Sequence, residues 1–397
     1  MENYEHGGRP GAADQTDPKG FIGEGSEVLL GGTGMAGHEG RSERGGLPGV
    51  ITRQKYPDNV EFPFWTLDRF LTPDEQFYVR THFEVPNLDP KTWTLKVEGL
   101  VEKPVEIGYD ELIKMPTHTV PALLECSGNG RAFLKPPQSS IRWELGAVST
   151  AEWTGVRLSD VLDRAGVKPG ALEVLLEGAD KGEFLKPDAE TPGVIHYSRS
   201  LSVEKANRPE VLLAFQMNGK PLSQAHGFPV RAVVPGWYGM ASVKWLTRIA
   251  VLNEPFHGYF QTFVYAIWQR QPGQPSLVAV TDMQVKAQIA RPMECEVIPA
   301  GKPYRVFGAA WAGEEDVTKV EASTDGGKTW ATAELTGEAK PFCWRFWEYE
   351  WKFPIAGKTV VLSRATDSKG RTQPTERDED RRDAVITHPL PVTVEVQ

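Results

Sequence analysis

The pattern of hydrophobic and polar residues divides the chain into three parts. Residues 1–59 contain few large apolar residues, and 14 of the 39 glycines fall within residues 1–50. Such a segment cannot bury a core of its own, so we expect an arm that is solvated or laid along the main body. Between residues 60 and 284, short strand and helix patterns mix without a regular βαβ period. This predicts an α+β domain.

Particular elements of this middle domain follow from local patterns. Thr92–Glu98 alternates apolar and polar residues, which predicts a half-buried strand. Leu158–Ala165 has a helical pattern that ends at Gly166, and Thr72–Glu75 has the threonine, proline and acidic residues of a helix start. The remaining predictions are a short helix at Tyr109–Met115, strands at Leu172–Leu176 and Val230–Val234, and a helical turn at Val203–Asn207.

The last part of the chain, residues 285–397, shows only strand patterns between turns. Asp325–Lys328, with the sequence Asp-Gly-Gly-Lys, predicts a tight hairpin turn. This spacing predicts a β-sandwich of immunoglobulin type, whose simplest role is packing or dimerisation. The predicted strands are Tyr304–Ala309, Val317–Ser323, Thr329–Ala333, Phe346–Phe353 and Thr359–Ala365.

Composition excludes several classes of function. The net charge of −9 argues against a nucleic-acid or anionic-membrane surface, and no apolar run is long enough to span a bilayer. Three cysteines without a CxxC pair exclude a zinc ribbon, a c-type haem site and a disulfide framework. The first residues resemble no export signal, so we expect a cytoplasmic protein, or a periplasmic one if a leader was removed.

The strongest candidate for chemistry is the segment Leu123–Arg131, which we call the cysteine loop. Here Cys126 follows an apolar run and enters a turn of small residues that lets the backbone approach another group closely. Arg131 is a nearby cation, and a nearby cation favours the thiolate form that binds metals. The residues alone leave open a buried structural cysteine beside a turn.

Basic residues interleaved with aromatic residues and glycines form further candidate sites. His226, Arg231 and Lys244 are spaced along a strand and loop in which glycine turns could bring backbone amides to a phosphate or a pterin. Solvated charges on a strand-rich core remain the alternative. Arg80-Thr81-His82 is another basic group, and Arg345 is flanked by tryptophans that could hold it by a cation–π contact.

Taken in order, these segments resemble the sulfite oxidase family of molybdopterin enzymes over residues 60–397. The matching segments are Phe77–His82 with Val85–Pro90, the cysteine loop, Gly146–Leu158, Gln216–Gly219, His226–Trp245 and Ser323–Trp330. Each is weak alone, but their order and spacing are specific.

The resemblance implies a role for each matched residue. Cys126 would be the one protein ligand of molybdenum in a molybdenum–molybdopterin cofactor, with Tyr265 near the metal. The implied oxyanion pocket consists of Arg80, Arg131, Trp143 and Arg345. The implied pterin and phosphate contacts are His82, Asp180, Ser200, His226, Arg231, Ser242 and Lys244. The last domain would form a homodimer, with Arg345 reaching back toward the active site.

The activity that the resemblance implies is oxidation of sulfite, or of a similar small oxyanion. The residues fit this substrate, since arginines hold three oxygens well. Two departures from the family pattern stand out. Gly130 precedes a single Arg131 where animal members have two arginines. In addition, residues 1–59 are too short and glycine-rich for a haem domain. We therefore expect no haem or flavin, and a separate electron acceptor such as cytochrome c, another carrier or oxygen.

Three alternatives remain. Assimilatory nitrate reductase has a similar site but needs haem and flavin domains. A sulfane-sulfur dehydrogenase subunit of a sulfur-oxidising system is a closer rival, since Val234–Gly239 resembles such enzymes. A non-catalytic binding protein working through its β-sandwich would hold no molybdenum.

Overall fold

A computed structural model of the chain describes residues 49–185, 190–270 and 274–397. It is mostly β, with 41% strand and 11% helix. The α+β class predicted from the sequence is therefore not confirmed, because the helical patterns form only short segments. Residues 1–48 of the predicted arm lie outside the described residues. Ile51–Gln54, assigned to the arm by its composition, instead forms a strand whose Ile51 is buried.

The first part of the described chain contains fourteen strands and three short α-helices. The strands are β1 (Ile51–Gln54), β2 (Asn59–Glu61), β3 (Thr94–Gly99), β4 (Val105–Gly108), β5 (Thr117–Glu125), β6 (Val148–Arg157), β7 (Glu173–Gly182), β8 (Ile195–Ser202), β9 (Leu212–Met217), β10 (Lys220–Pro221), β11 (Arg231–Val233), β12 (Leu246–Leu252), β13 (Ala266–Arg270) and β14 (Pro275–Ala279). The helices are α1 (Tyr109–Leu112), α2 (Leu158–Ala165) and α3 (Val203–Ala206).

Two five-stranded sheets organise this part. The first sheet has the order β4-β3-β12-β7-β8, and all of its pairs are antiparallel except β3 with β12. The second sheet runs β10-β9-β6-β5, with β11 also paired to β9. Helix α2 covers the shared core because its residues 158, 161, 162 and 165 are apolar and buried, which is one face of a helix.

The last part of the chain forms a single eight-stranded sheet. Its strands are β15 (Lys286–Arg291), β16 (Val297–Ile298), β17 (Tyr304–Trp311), β18 (Val317–Ser323), β19 (Ala331–Thr336), β20 (Arg345–Trp351), β21 (Gly357–Asp367) and β22 (Val392–Val396). They are connected in the order β15-β17-β20-β19-β18-β21-β22-β16. Residues from strands at both ends of this order share one core, so the sheet wraps around it; the immunoglobulin-type topology stays a prediction.

The two parts are packed together rather than merely tethered. The core of the first part includes Phe307, Trp311 and Trp344, which belong to the last part. In addition, the Leu123 backbone N–H donates to the Phe342 carbonyl. The last domain therefore adjoins β5, the strand that leads into the cysteine loop.

Several predicted elements are confirmed, some of them with shifted ends. Leu158–Ala165 and Val317–Ser323 match the structure, and the Asp325–Lys328 turn joins antiparallel β18 and β19. The helix start predicted at Thr72–Glu75 is wrong, because this segment forms only a turn closed by the Pro73 carbonyl. Strands β5 and β6 were not predicted, since their sequences lack a clear alternation of apolar and polar residues.

Candidate active site

Cys126 lies at the end of β5, where the chain turns into the cysteine loop. Its backbone N–H donates to the Ala147 carbonyl at 2.9 Å, and its own carbonyl accepts from the Asn129 N–H. Gly130 has a φ of 100°, which favours glycine at this turn. A β-carbon on Gly128 would lie 2.4 Å from the Arg131 guanidinium, so the small residues let arginine pack against the loop.

Two cavities meet at this cysteine. We call the deeper one the inner cavity; it measures about 630 Å³ including its open mouth and is lined by residues of both sheets, including Asp180, His226 and Lys244. The outer cavity, of about 2180 Å³ including its open mouth, is lined by Arg131, Arg142 and others. The residues that line both cavities are Arg80, Thr81, His82, Cys126 and Tyr265.

Besides Arg80, the inner cavity carries two further cationic side chains, of which Arg231 is buried and Lys244 is partly buried. Arg231 is 5% exposed and donates to the carbonyls of His226 and Ser242, both at 3.0 Å. Burial lowers the pKa of Arg231 to about 10. Burial, together with repulsion from Arg231, also lowers the pKa of Lys244 well below its usual value. An anion bound here would favour the charged form of Lys244, so the arrangement suits a phosphate group.

His226 and Asp180 complete the polar lining of the inner cavity. Burial lowers the pKa of His226 to about 3, so its ring is neutral at physiological pH, and its Nε2 lies 3.1 Å from the Asp74 carbonyl. Burial raises the pKa of Asp180 to about 7, against the opposing effect of Lys244. The Asp180 Oδ1 atom is buried and has no hydrogen-bond partner among the described residues. Ser242 also lines the cavity, and its hydroxyl accepts from the Val234 N–H.

His82 and Tyr265 form a contact at the boundary between the two cavities. The Tyr265 hydroxyl lies 2.5 Å from His82 Nε2, and the His82 ring stacks on Tyr197 at 4.6 Å. Burial, aided by Arg80 and Lys244, lowers the pKa of His82 well below its usual value, so the ring is neutral. Burial raises the pKa of Tyr265, which therefore keeps its proton at neutral pH.

Four arginines line the outer cavity: Arg53, Arg80, Arg131 and Arg142. Arg80 contacts the Asn59 side chain and the Thr81 carbonyl. Arg131 is 6% exposed; it donates to the carbonyls of Asp383 and Ile141, and its Nε lies 3.3 Å from the Asp383 carboxylate. Arg142 is exposed at the rim. A small anion entering this cavity would therefore meet positive charge on more than one side.

Ten of the thirteen predicted site residues line one or both cavities. They are Arg80, His82, Cys126, Arg131, Asp180, His226, Arg231, Ser242, Lys244 and Tyr265. The fold therefore brings together predicted site residues that are up to 185 positions apart in the sequence, since Arg80 and Tyr265 both line the inner cavity.

The structure does not place Trp143, Ser200 and Arg345 in either lining. Trp143 is fully buried in an apolar cluster that includes Cys126, and its indole N–H has no partner among the described residues. Ser200 is buried in β8, while Tyr197 of the same strand lines the cavity. Arg345 is the first residue of β20, where it pairs with Ala310 of β17, and it is not among the lining residues of either cavity.

Sequence analysis missed one fully buried charge behind Tyr265. Arg199 in β8 donates to the carbonyls of Phe260 at 2.5 Å and Val280 at 2.7 Å. Its guanidinium carbon lies 5.8 Å from the centre of the Tyr265 ring. The alternation Tyr197, Arg199, Leu201 along one strand was the signal that could have placed this arginine on a buried face.

Thr81 and Tyr197 were also missed. The Thr81 hydroxyl lies 3.1 Å from Lys244 Nζ, and the Tyr197 hydroxyl donates to the Met240 carbonyl. Thr81 sits between two predicted residues, Arg80 and His82, so its position in the sequence was a usable signal.

Comparison with known families agrees with this geometry. Residues 82–260 match the model of the oxidoreductase molybdopterin binding domain, and residues 278–382 match that of the Mo-co oxidoreductase dimerisation domain. The fold and site are thus those of a molybdopterin-binding oxidoreductase.

Individual relatives identify the family within this class of oxidoreductases. Sulfite oxidase of Gallus gallus is 34% identical over 344 residues, covering 82% of this chain and 73% of that protein. Mitochondrial sulfite oxidase of Mus musculus is also 34% identical, but the chain spans only 62% of its length. An NADH nitrate reductase of Brassica napus is 34% identical over 354 residues, covering 81% of this chain and 38% of that protein. The chain belongs to the sulfite oxidase family.

A solved structure shows the same architecture. The sulfane dehydrogenase SoxCD from Paracoccus pantotrophus aligns with a TM-score of 0.74 at 28% identity, covering 85% of this chain and 84% of that chain.

Proposed function

We propose that this protein oxidises sulfite to sulfate at a molybdenum–molybdopterin cofactor held by Cys126. The observation that carries the proposal is the position of Cys126, which lines both a deep cavity with cationic side chains and an outer cavity with arginines. One thiol thus faces a space suited to a cofactor and a space suited to a small anion.

The chemistry of the residues that line the inner cavity suits a molybdopterin. Arg231 and Lys244 supply positive charge for a phosphate. The buried Asp180 Oδ1 and Ser127 Oγ have no hydrogen-bond partner among the described residues, and both residues line the cavity. Burial of such atoms is costly unless a ligand satisfies them, as a pterin ring with amino and amide groups would.

Each residue near Cys126 then has a task. The thiolate of Cys126 is a soft ligand and would bind the molybdenum. When bound, the cofactor supplies oxygen-atom transfer and two-electron redox chemistry. Arg80 and Arg131 hold the three oxygens of sulfite and orient its sulfur toward the cysteine side of the cavity.

Tyr265 and His82 hold a proton at the boundary of the two cavities. Because Tyr265 stays protonated and His82 stays neutral, the phenolic O–H donates to His82 Nε2 when that nitrogen carries no hydrogen. The same hydroxyl can instead donate to an oxygen of the substrate. This contact orients the anion without adding a charge to the pocket.

The overall reaction requires an electron acceptor. Sulfite and water yield sulfate with release of two protons and two electrons, which pass to a separate carrier or to oxygen. A homodimer formed through the last domain is also proposed, since residues 278–382 match a dimerisation domain.

A turnover assay with sulfite and an artificial acceptor tests the proposal. Protein purified from molybdate-supplemented cells should reduce ferricyanide when sulfite is added, with molybdenum and pterin present in equal amounts. Protein from cells grown with tungstate instead is the matched control and should be inactive. Molybdenum-loaded protein that does not turn over sulfite would contradict the proposed substrate.

A sulfane-sulfur substrate is the second candidate, and its support is the alignment with SoxCD. The large mouth of the outer cavity would admit a sulfur group carried on a larger molecule. A protein that oxidises a persulfide but not sulfite would favour this candidate. A preparation without molybdenum would favour the binding-protein alternative.

A further inference from the structure

The cysteine loop is held by side chains that come from the last domain. Lys286 and Gln288 lie two residues apart in β15, so their side chains emerge from the same face of the strand. Ala287 and Ile289, on the other face, belong to the core of the last domain. One face of β15 therefore packs into the core of the last domain, and the other face contacts the cysteine loop.

Lys286 makes a buried ion pair with the residue directly before Cys126. Its Nζ lies 2.9 Å from Glu125 Oε1, and the two side chains are 2% and 1% exposed. Lys286 also donates to the Asn129 carbonyl at 3.0 Å, inside the loop. One ammonium group thus contacts the loop on both sides of Cys126.

Neighbouring side chains complete this network. Trp311 donates its indole N–H to Glu125 Oε2 at 2.9 Å, and Asn129 Nδ2 donates to Glu125 Oε1 and to Gln288 Oε1. The Asn129 Oδ1 atom accepts from the Ala147 N–H, next to the carbonyl that holds Cys126. Every contact therefore restrains the backbone from Glu125 to Asn129.

We infer that Lys286 is a positioning residue that fixes the cysteine loop from the last domain. The last domain then does more than pack or dimerise, because it holds the segment that presents the Cys126 thiol to the inner cavity. The assignment of Cys126 as a metal ligand rests on the proposed function. The inference that Lys286 fixes the cysteine loop does not rest on the proposed function, since it concerns contacts between protein atoms alone.

The physical basis is the cost of separating this pair. A carboxylate buried at 1% exposure is stable only with charge and hydrogen bonds around it, and Lys286 supplies both. If Lys286 loses its ammonium group, Glu125 keeps the donors of Trp311 and Asn129 but loses the positive charge beside it, and we expect the strand end beside Cys126 to loosen.

A second buried lysine provides a matched control. Lys205 in α3 also pairs across the two domains, with Nζ 2.7 Å from Glu314 Oε1, and its side chain is 5% exposed. Neither Lys205 nor Glu314 lines the inner or the outer cavity. Lys205→Met therefore removes an interdomain ion pair, in which only the lysine is buried, without removing a hydrogen bond to residues 125–129.

Hydrogen exchange measured by mass spectrometry tests the inference on the full chain. We expect Lys286→Met to raise amide exchange in the peptide spanning residues 124–131 at least tenfold, while Lys205→Met leaves that peptide unchanged. Lys286→Arg should restore protection. Equal exchange in the Lys286→Met and wild-type proteins would overturn the inference, as would an equal rise in the Lys205→Met protein.

A milder variant covers the case in which Lys286→Met does not fold. Trp311→Phe removes one hydrogen bond to Glu125 and should raise exchange in the same peptide by a smaller factor; unchanged exchange would overturn the inference. Molybdenum content of the wild-type protein separates the two claims. Absence of metal would contradict the proposed function and leave the exchange result intact.

Discussion

The hydroxyl oxygen of Tyr265 lies 2.5 Å from His82 Nε2, and both residues line the inner and outer cavities together with Cys126. This contact joins a phenol that burial keeps protonated to an imidazole that burial keeps neutral. It is placed where an anion in the outer cavity would meet a cofactor in the inner one.

The first prediction concerns the Tyr265 hydroxyl. Tyr265→Phe should lower kcat for sulfite by about tenfold to a hundredfold, because a positioned proton donor is lost while the ring remains. Molybdenum content should not change. The control is Tyr304→Phe, whose hydroxyl contacts Glu296 in the last domain. Steady-state kinetics check this, and equal kcat in the wild-type and Tyr265→Phe proteins would exclude a role for the hydroxyl.

The second prediction concerns substrate binding by Arg80. Arg80→Gln should raise KM for sulfite at least tenfold, since a charge-assisted contact contributes about 1.5–3 kcal/mol. Arg142→Gln should have a smaller effect because Arg142 is exposed to solvent at the rim. The measurement is the KM for sulfite of both variants and the wild type at fixed ionic strength. A larger effect at Arg142 than at Arg80 would place the anion elsewhere.

The third prediction concerns Arg199, which holds the chain on both sides of Tyr265. Arg199→Met should lower the free energy of unfolding by roughly 1–3 kcal/mol, because two buried carbonyls lose their donor. Relief of the cost of burying the charge offsets part of this loss. Chemical denaturation measures the change. A variant as stable as wild type would show that the two hydrogen bonds are dispensable.

The fourth prediction is a pH dependence arising from His226. The pKa of His226 is about 3 in the folded protein and about 6.5 in the unfolded chain, so between these values only the unfolded state binds the proton. Stability therefore falls as the pH is lowered through this window.

His226→Gln removes this contribution. From pH 7 to pH 5 the wild-type protein should lose about 2 kcal/mol more unfolding free energy than the variant. Glutamine retains an N–H that can donate to the Asp74 carbonyl, so the fold should persist. Urea titrations of cofactor-free protein at both pH values provide the measurement, and parallel losses in the two proteins would show that His226 is not kept neutral by burial.

Local sequence pattern determined some elements and not others. Leu158–Ala165 was predicted with its ends because its apolar spacing and Gly166 specify a helix without distant contacts. Thr72–Glu75 has a similar start signal but no helix, because Thr72 is buried against Thr150 of β6 and the chain turns there. Tertiary packing thus overrode a local preference.

The same limit applies to the site. The family resemblance located Cys126, His226 and Lys244, which the fold brings to the cavity. It could not place Trp143, because the direction of a side chain depends on the packing around it and not on its spacing in the sequence. Lys286 carries no motif at all; only the pairing of domains reveals that it contacts Glu125.

The most direct test of the account counts the sulfur atoms bound to molybdenum. X-ray absorption at the molybdenum edge should be compared between the wild-type and Cys126→Ala proteins, both purified from molybdate-supplemented cells. We predict that the variant retains molybdenum and pterin but has one sulfur neighbour fewer at the metal, together with almost no turnover of sulfite. The same number of sulfur neighbours in both proteins, or no molybdenum in the wild type, would contradict the assignment of Cys126 as the metal ligand.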